Sequence, residues 1–142
     1  MDFTVYILLA SPQSDSDSVP AAIRAVVDQL RPVMSYKSYR VLDTIVGRGT
    51  EGDNFQSSGI VSKLSAETNF TPNYSFQARP QLTGSDQGIK LENLEFSFNA
   101  TQIQRLNIAT TLEMKSGQQV VVGKATLQDQ ALILVVMAKV VD

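Results

Sequence analysis

Three glycines between residues 47 and 52, in the segment GRGTEG, follow the spacing G-x-G-x-x-G. Dinucleotide-binding proteins use that spacing to bring the backbone close to a pyrophosphate, and they place it between a strand and the N-terminus of a helix. A strand pattern ends at Val46, but no helical periodicity follows Gly52. The segment therefore lacks the half of the motif that holds phosphate, and we interpret residues 47–59 as a connection between strands.

A second chemistry stays open at the same segment, namely the binding of an anion by backbone amides. Gly47, Arg48, Gly49 and Gly52 are the candidate residues, because a guanidinium beside a glycine-rich turn can form an anion-binding nest. A small-ligand or anion-binding function at this loop is the alternative hypothesis. It requires that Arg48→Ala abolish the binding of phosphate or sulfate.

Most catalytic chemistry is excluded by what the chain lacks. It contains no His and no Cys, which removes the usual zinc sites, thiol nucleophiles and the Ser-His-Asp triad. Carboxylates such as Asp43 and Glu92 remain, but no partner for acid–base catalysis is identifiable in the sequence. The net charge of −2 gives no strong attraction for nucleic acid. We therefore expect no enzyme, no cofactor, no metal and no nucleic-acid partner.

The N-terminal third reads as strand, helix and strand. Alternating apolar residues predict a first strand over residues 2–10. Apolar residues at three- and four-residue steps predict a helix over about 18–31, which Ser18 or Asp17 is placed to cap and Pro32 ends. A second strand follows, with Tyr39, Val41, Asp43 and Ile45 expected on one face. A crossover of this length could make the two strands parallel.

The remaining two thirds favour antiparallel β structure. A shift in the alternation places a β-bulge at Glu92-Asn93, the segment KSGQQ (115–119) predicts a hairpin turn, and residues 127–131 predict the next turn. Residues 131–141 are apolar on both faces, which predicts a central strand. The expected core residues of this part are Phe96, Phe98, Ile108, Leu112, Val120, Val122, Leu132, Leu134 and Val136.

These elements predict a single α+β domain over residues 1–142, in which one helix packs on a mainly antiparallel sheet or sandwich of about six to eight strands. The chain has no apolar run long enough for a transmembrane helix. The localisation stays open: an upstream signal, if removed, favours the periplasm or envelope, and a start at Met1 favours the cytoplasm.

Residues 107–141 resemble the end of the β-module of bacterial secretins, the outer-membrane channels of secretion systems. The resemblance lies in a Thr-rich strand, a Gly-Gln turn and an apolar strand ending in glycine, carried by Thr110, Thr111, Gly117, Gln118, Val120, Val121, Val122 and Gly123. Lys124 departs from it, since a second glycine is expected there. The resemblance implies an envelope protein that works by assembly rather than catalysis.

The leading hypothesis is thus a non-enzymatic binding or assembly module, acting through the edges of its sheets. Edge strands expose backbone groups that can add the strand of a partner. Its partner would be another protein or a second copy of itself.

Overall fold

The computed structural model describes residues 1–12, 19–61, 71–84, 87–100, 105–127 and 130–140. These contain eight strands, a 3-10 turn and one α-helix. In chain order they are β1 (Asp2–Ser11), the 3-10 turn (Ala21–Ile23), α1 (Arg24–Leu30), β2 (Ser38–Arg48), β3 (Phe55–Ile60), β4 (Asn73–Leu82), β5 (Gly88–Asn99), β6 (Arg105–Lys115), β7 (Gln119–Leu127) and β8 (Gln130–Lys139).

The strands form two antiparallel sheets. Sheet 1 has the order β2-β1-β8-β7, and sheet 2 is the meander β3-β4-β5-β6. The chain leaves sheet 1 after β2 and returns to it at β7. As a result β2 and β3 border one seam between the sheets, and β6 and β7 border the other. At the second seam Ile108 of β6 packs beside Gly123 of β7.

The main core lies between the two sheets. Sheet 1 contributes alternate residues of β1 and β8, such as Val5 and Leu134, and sheet 2 contributes three aromatic rings, Phe76, Phe96 and Phe98. All are at most 1% exposed. Burial of such a side chain stabilises the fold by about 1.5–3 kcal/mol. The expected core residues all belong to this cluster, with Ile108, Leu112, Val120 and Val122 only partly buried.

A second core lies on the opposite face of sheet 1, under the helix. Ile23, Val27 and Leu30 pack there against Leu8 of β1 and Ile133 of β8. The central strands β1 and β8 are therefore buried on both faces, which explains why their sequences do not alternate. The central position predicted for residues 131–141 is confirmed for β8.

The α+β class is wrong, because the helix is short and the described chain consists mainly of two antiparallel sheets. The regular helix covers only Arg24–Leu30, and the turn before it is 3-10. Nor are the flanking strands parallel, since β1 pairs with β2 antiparallel. The segment between them turns back over one face of sheet 1 instead of crossing to the far end. The predicted caps Asp17 and Ser18 lie outside the described residues.

Bulges explain where the expected faces hold and where they change. The bulge predicted at Glu92-Asn93 is confirmed by the register shift between Leu91 and Leu94, and Asn93 has a φ of 51°. Another register shift was not predicted: Leu42 of β2 is an extra residue between the partners of Ile7 and Leu8 on β1. Tyr39 therefore packs under the helix while Ile45 packs between the sheets, so their expected common face is wrong.

The predicted turn at residues 115–119 is present, with Gly117 at a φ of 84°, but it does not close a hairpin. It joins β6 of sheet 2 to β7 of sheet 1, and the two strands pair with β5 and β8 instead. The following turn does join paired strands, because Leu127 lies opposite Gln130. The two residues between them lie outside the described part of the chain.

Candidate functional site

The predicted ligand loop extends over three elements. Gly47 and Arg48 end β2, residues 49–54 form the connection, and β3 begins at Phe55. Two of its glycine amides donate to carbonyl oxygens of the chain: Gly49 N–H to Met1 at 2.8 Å and Gly52 N–H to Pro80 at 2.8 Å. These amides therefore hold the loop to Met1, just before β1, and to β4. Residues 55–59, which we interpreted as connection, are strand.

The Arg48 side chain is directed to a carboxylate of the neighbouring strand. Its Nε donates to Oδ1 of Asp2 at 2.8 Å, and the two side chains are 70% and 45% exposed. This hydrogen bond lowers the pKa of Asp2 and raises that of Arg48. An anion would have to compete with Asp2 for the guanidinium. The anion-binding hypothesis stays a prediction.

The glycine spacing has a packing explanation at two positions. A Cβ on Gly47 would lie 2.6 Å from the ring of Phe55, and a Cβ on Gly49 would lie 2.8 Å from the ring of Phe3. The two rings stack with their centroids 4.8 Å apart. At Gly52 the reason is conformational, because its φ is 86°. These glycines allow aromatic packing and a tight turn where the first seam closes.

Among the candidate catalytic groups, Asp43 meets a tyrosine across the same seam. The hydroxyl of Tyr74, on β4, donates to Oδ2 of Asp43, on β2, at 2.8 Å. Burial, together with this hydrogen bond, raises the pKa of Tyr74 to about 12. Gly59 of β3 makes room for the contact, because a Cβ there would lie 2.5 Å from the hydroxyl oxygen. The pair links the two sheets, and its phenol keeps its proton at neutral pH.

Glu92 does not join that pair. Its carboxylate lies 3.8 Å from the ammonium of Lys90, on its own strand. Within the described ranges no group of three acidic, His or Cys side chains is placed to hold a metal ion. Nor does any helix of the described residues have the length and apolarity needed to cross a membrane.

The outward side of sheet 2, which we call the polar face, carries rows of polar side chains. One row runs Ser58, Ser75, Ser97 and Asn107, with Ser97 Oγ donating to Asn107 at 2.9 Å. The next row runs Gln56, Gln77 and Glu95, joined by side-chain hydrogen bonds of 3.2 and 2.6 Å. The two rows border a shallow groove of about 530 Å³ that reaches β3.

The strand at the end of these rows, β3, differs from the other three edge strands. Its six residues carry no charge, and its register with β4 is continuous. The other edges carry charged residues, such as Arg40 on β2, Glu113 on β6 and Lys124 on β7. Their ladders also contain register shifts. Charges and bulges are the usual means by which edge strands avoid pairing with other chains.

No strand of the described chain pairs with the outer edge of β3. The sequence favours β structure from residue 57 onward, but its glycines led us to interpret the residues up to 59 as a connection. The start of the strand was hidden because its only large apolar residues, Phe55 and Ile60, point to opposite faces. Ser and Gly between them have little intrinsic preference for strands. In the structure Phe55, Ser57 and Gly59 are partly buried and alternate with exposed residues, but the sequence does not show this alternation because Ser57 and Gly59 are small and not apolar.

No family model matches the chain, and no curated protein matches its sequence. One structural match is the InvG secretin domain β-barrel of the Salmonella SPI-1 injectisome, with 13% identity and a TM-score of 0.40, over 99% of this chain and 63% of that one.

A second match is the Salmonella injectisome secretin InvG (residues 176 to the end) in the open gate state, with 14% identity and a TM-score of 0.40. It covers 99% of this chain and 58% of that one. The chain thus spans about three fifths of the length of these neighbours. The weak secretin-like resemblance seen in residues 107–141 is confirmed as a resemblance: this chain has secretin domains of a secretion system among its structural neighbours.

Proposed function

We propose that this chain is a non-enzymatic assembly module of the bacterial cell envelope, and that it associates through the outer edge of β3. The observation that carries the proposal is that this edge is uncharged and continuous in register, while the other three edges carry charges and bulges. The envelope setting rests on the secretin-like residues 107–141.

Backbone groups supply the attraction at such an edge. In an antiparallel sheet, alternate residues of an edge strand direct their N–H and C=O groups outward, where an incoming strand can pair with them. Each backbone hydrogen bond contributes about 0.5–1.5 kcal/mol net. Phe55–Ile60 is long enough to form several, and no charged side chain of this strand opposes a partner.

The polar face favours the same mode of association. Its rows end at Gln56 and Ser58 of β3, so a strand added there would lie beside uncharged side chains. The non-enzymatic part of the proposal is supported by the lack of His and Cys in the sequence and by the position of Asp43, whose carboxylate accepts a hydrogen bond from Tyr74 and so links the two sheets.

The test compares two variants that add the same charge to neighbouring strands. Gln56→Lys/Ser58→Lys places two lysines on the edge strand β3, and the matched control Gln77→Lys/Ser75→Lys places them directly opposite on β4. Light scattering after size-exclusion chromatography gives the mass over a range of concentrations. We expect the unmodified chain and the β4 variant to associate, and the β3 variant to remain at the 15.5 kDa of one chain.

Two results would contradict the proposal. One is a mass of 15.5 kDa for the unmodified chain at every concentration. The other is an assembly that both lysine variants form equally well. Circular dichroism of both variants confirms that any difference in mass does not come from unfolding.

A further inference from the structure

We infer, resting on the proposed function, that the occupant of the β3 edge is β3 of a second copy, paired antiparallel about a two-fold axis at Ser58. The product is a closed dimer with the strand order β6-β5-β4-β3-β3-β4-β5-β6 in one continuous sheet. The reasons lie in the residues that such an axis would bring together.

Self-pairing is sterically and electrostatically permitted at the centre of the strand. An isologous contact sets each residue against a symmetric partner. An axis at Ser58 places Ser58 opposite itself and Ser57 opposite Gly59 of the other copy. These side chains are small and uncharged, so neither repulsion nor crowding opposes the approach.

The axis position follows from the one exposed apolar side chain of the strand. Ile60 is 69% exposed. An axis at Ser58 places it opposite Gln56 of the second copy, whose methylene groups would cover it. An axis at Ser57 would instead set Ile60 opposite Asn54, which precedes the strand. The register at Ser58 therefore buries apolar surface that the alternative leaves in water.

The inner side of the strand agrees with this register. Gly59 leaves space that is filled by the ring of Tyr74, whose hydroxyl reaches Asp43. Because Ser57 of the second copy would lie opposite Gly59, no large side chain would disturb that link. An axis at Ser57 would set Phe55 of the second copy opposite Gly59 instead.

The sequence makes a direct test possible, because the chain contains no Cys. Residues opposite each other across an antiparallel pair have Cα atoms about 4.5–5.5 Å apart, which is within reach of a disulfide. Ser58→Cys should therefore form a covalent dimer under mild oxidation. The control Ser75→Cys lies one strand further from the axis in each copy, so its two Cα atoms would be about 14 Å apart.

We expect Ser58→Cys to cross-link at least tenfold faster than Ser75→Cys, and the unmodified chain to reach twice its monomer mass and no more. A nitroxide label at Ser97→Cys adds a distance that does not depend on cross-linking. Ser97 lies two strands from β3, so its Cα atoms in the dimer would be about 24 Å apart.

The outcomes separate this inference from the proposed function. If the β3 lysines dissociate the assembly but Ser58→Cys cross-links no faster than Ser75→Cys, the self-pairing is wrong and the assembly through β3 stands. A mass above that of a dimer would also overturn the two-fold arrangement. If the β3 lysines leave the mass unchanged, both proposals fail.

Discussion

The two sheets differ in how many of their faces are covered. Sheet 1 is covered on one face by sheet 2 and on the other by α1, so β1 and β8 are apolar at almost every position. Sheet 2 is covered on one face only, and β4 alternates between buried and outward residues. The central strands of sheet 1 are therefore covered on both faces, whereas sheet 2 offers a polar face and the β3 edge.

The two sheets should therefore differ in which positions tolerate substitution. On β4, neighbouring residues should differ sharply in their effect on stability, and on β8 they should not. Substitutions on both strands and at the link between the sheets test this difference.

Neighbouring positions of β4 should give the sharpest difference. Phe76 is 1% exposed between the sheets, so Phe76→Ala should lower the free energy of unfolding by about 3–5 kcal/mol. Ser75, next to it, points outward, and Ser75→Ala should change it by less than about 0.5 kcal/mol. Urea denaturation of both variants measures the difference. Equal losses would show that the two faces of sheet 2 are not distinguished in this way.

Neighbouring positions of β8 should behave alike. Leu134 is buried between the sheets and Ile133 is buried under α1, both at 0% exposure. We expect Leu134→Ala and Ile133→Ala each to cost about 2–5 kcal/mol, because each leaves a cavity in a packed core. The same urea titration applies. A loss below about 1 kcal/mol for Ile133→Ala alone would mean that the helix contributes little to the cover of sheet 1.

The link between the sheets should show a pH dependence. The pKa of Tyr74 is about 12, against 10.0 for an ordinary tyrosine, so its contribution is complete below about pH 10 and is lost as the pH rises toward 12. Tyr74→Phe should cost about 1.5–3 kcal/mol at pH 8, since it removes a hydrogen bond to a carboxylate. The gap between the variant and the unmodified chain should then narrow above pH 10.

Denaturation at a series of pH values measures that gap, with Tyr36→Phe as the control because it leaves Tyr74 and Asp43 in place. If the difference in unfolding free energy stays constant from pH 8 to 12, the ionisation of Tyr74 does not affect the stability of the fold.

The smallest effect on stability is expected at the rim of sheet 1. Arg48→Ala should leave the melting temperature nearly unchanged, because the guanidinium is exposed and its bond to Asp2 is surrounded by water. The same variant tests the anion-binding hypothesis. Titration calorimetry with phosphate should then show an affinity that Arg48→Ala abolishes, and an unchanged affinity would refute it.

Several parts of this fold were predictable because they depend on local patterns. The bulge after Leu91, the central place of β8 and the inward Phe96 and Phe98 all follow from the period of apolar residues. The class was not predictable in this way. It depends on where the chain turns after α1, which makes β1 and β2 antiparallel, and on how short the regular helix is.

The candidate site was harder to predict from the sequence than the fold. The glycines at 47 and 49 stood out as a phosphate motif, but their spacing is explained by two phenylalanine rings, one of them distant in sequence. The edge at β3 was hidden for the opposite reason. Whether a strand lies at the edge depends on the pairing of the whole sheet, and the residues Phe55–Ile60 do not by themselves indicate an edge position.

The pairing of β1 with β8 has a consequence for the order of folding. Ala10 lies opposite Ala131, so the two most apolar strands meet only after nearly the whole described chain is available. Sheet 2 consists of consecutive strands and can form while β8 is still being synthesised. Until then β1 and α1 lack one of the surfaces that cover them. Contacts so distant in sequence slow folding. During that interval the apolar residues of β1 lack the strand that later pairs with them.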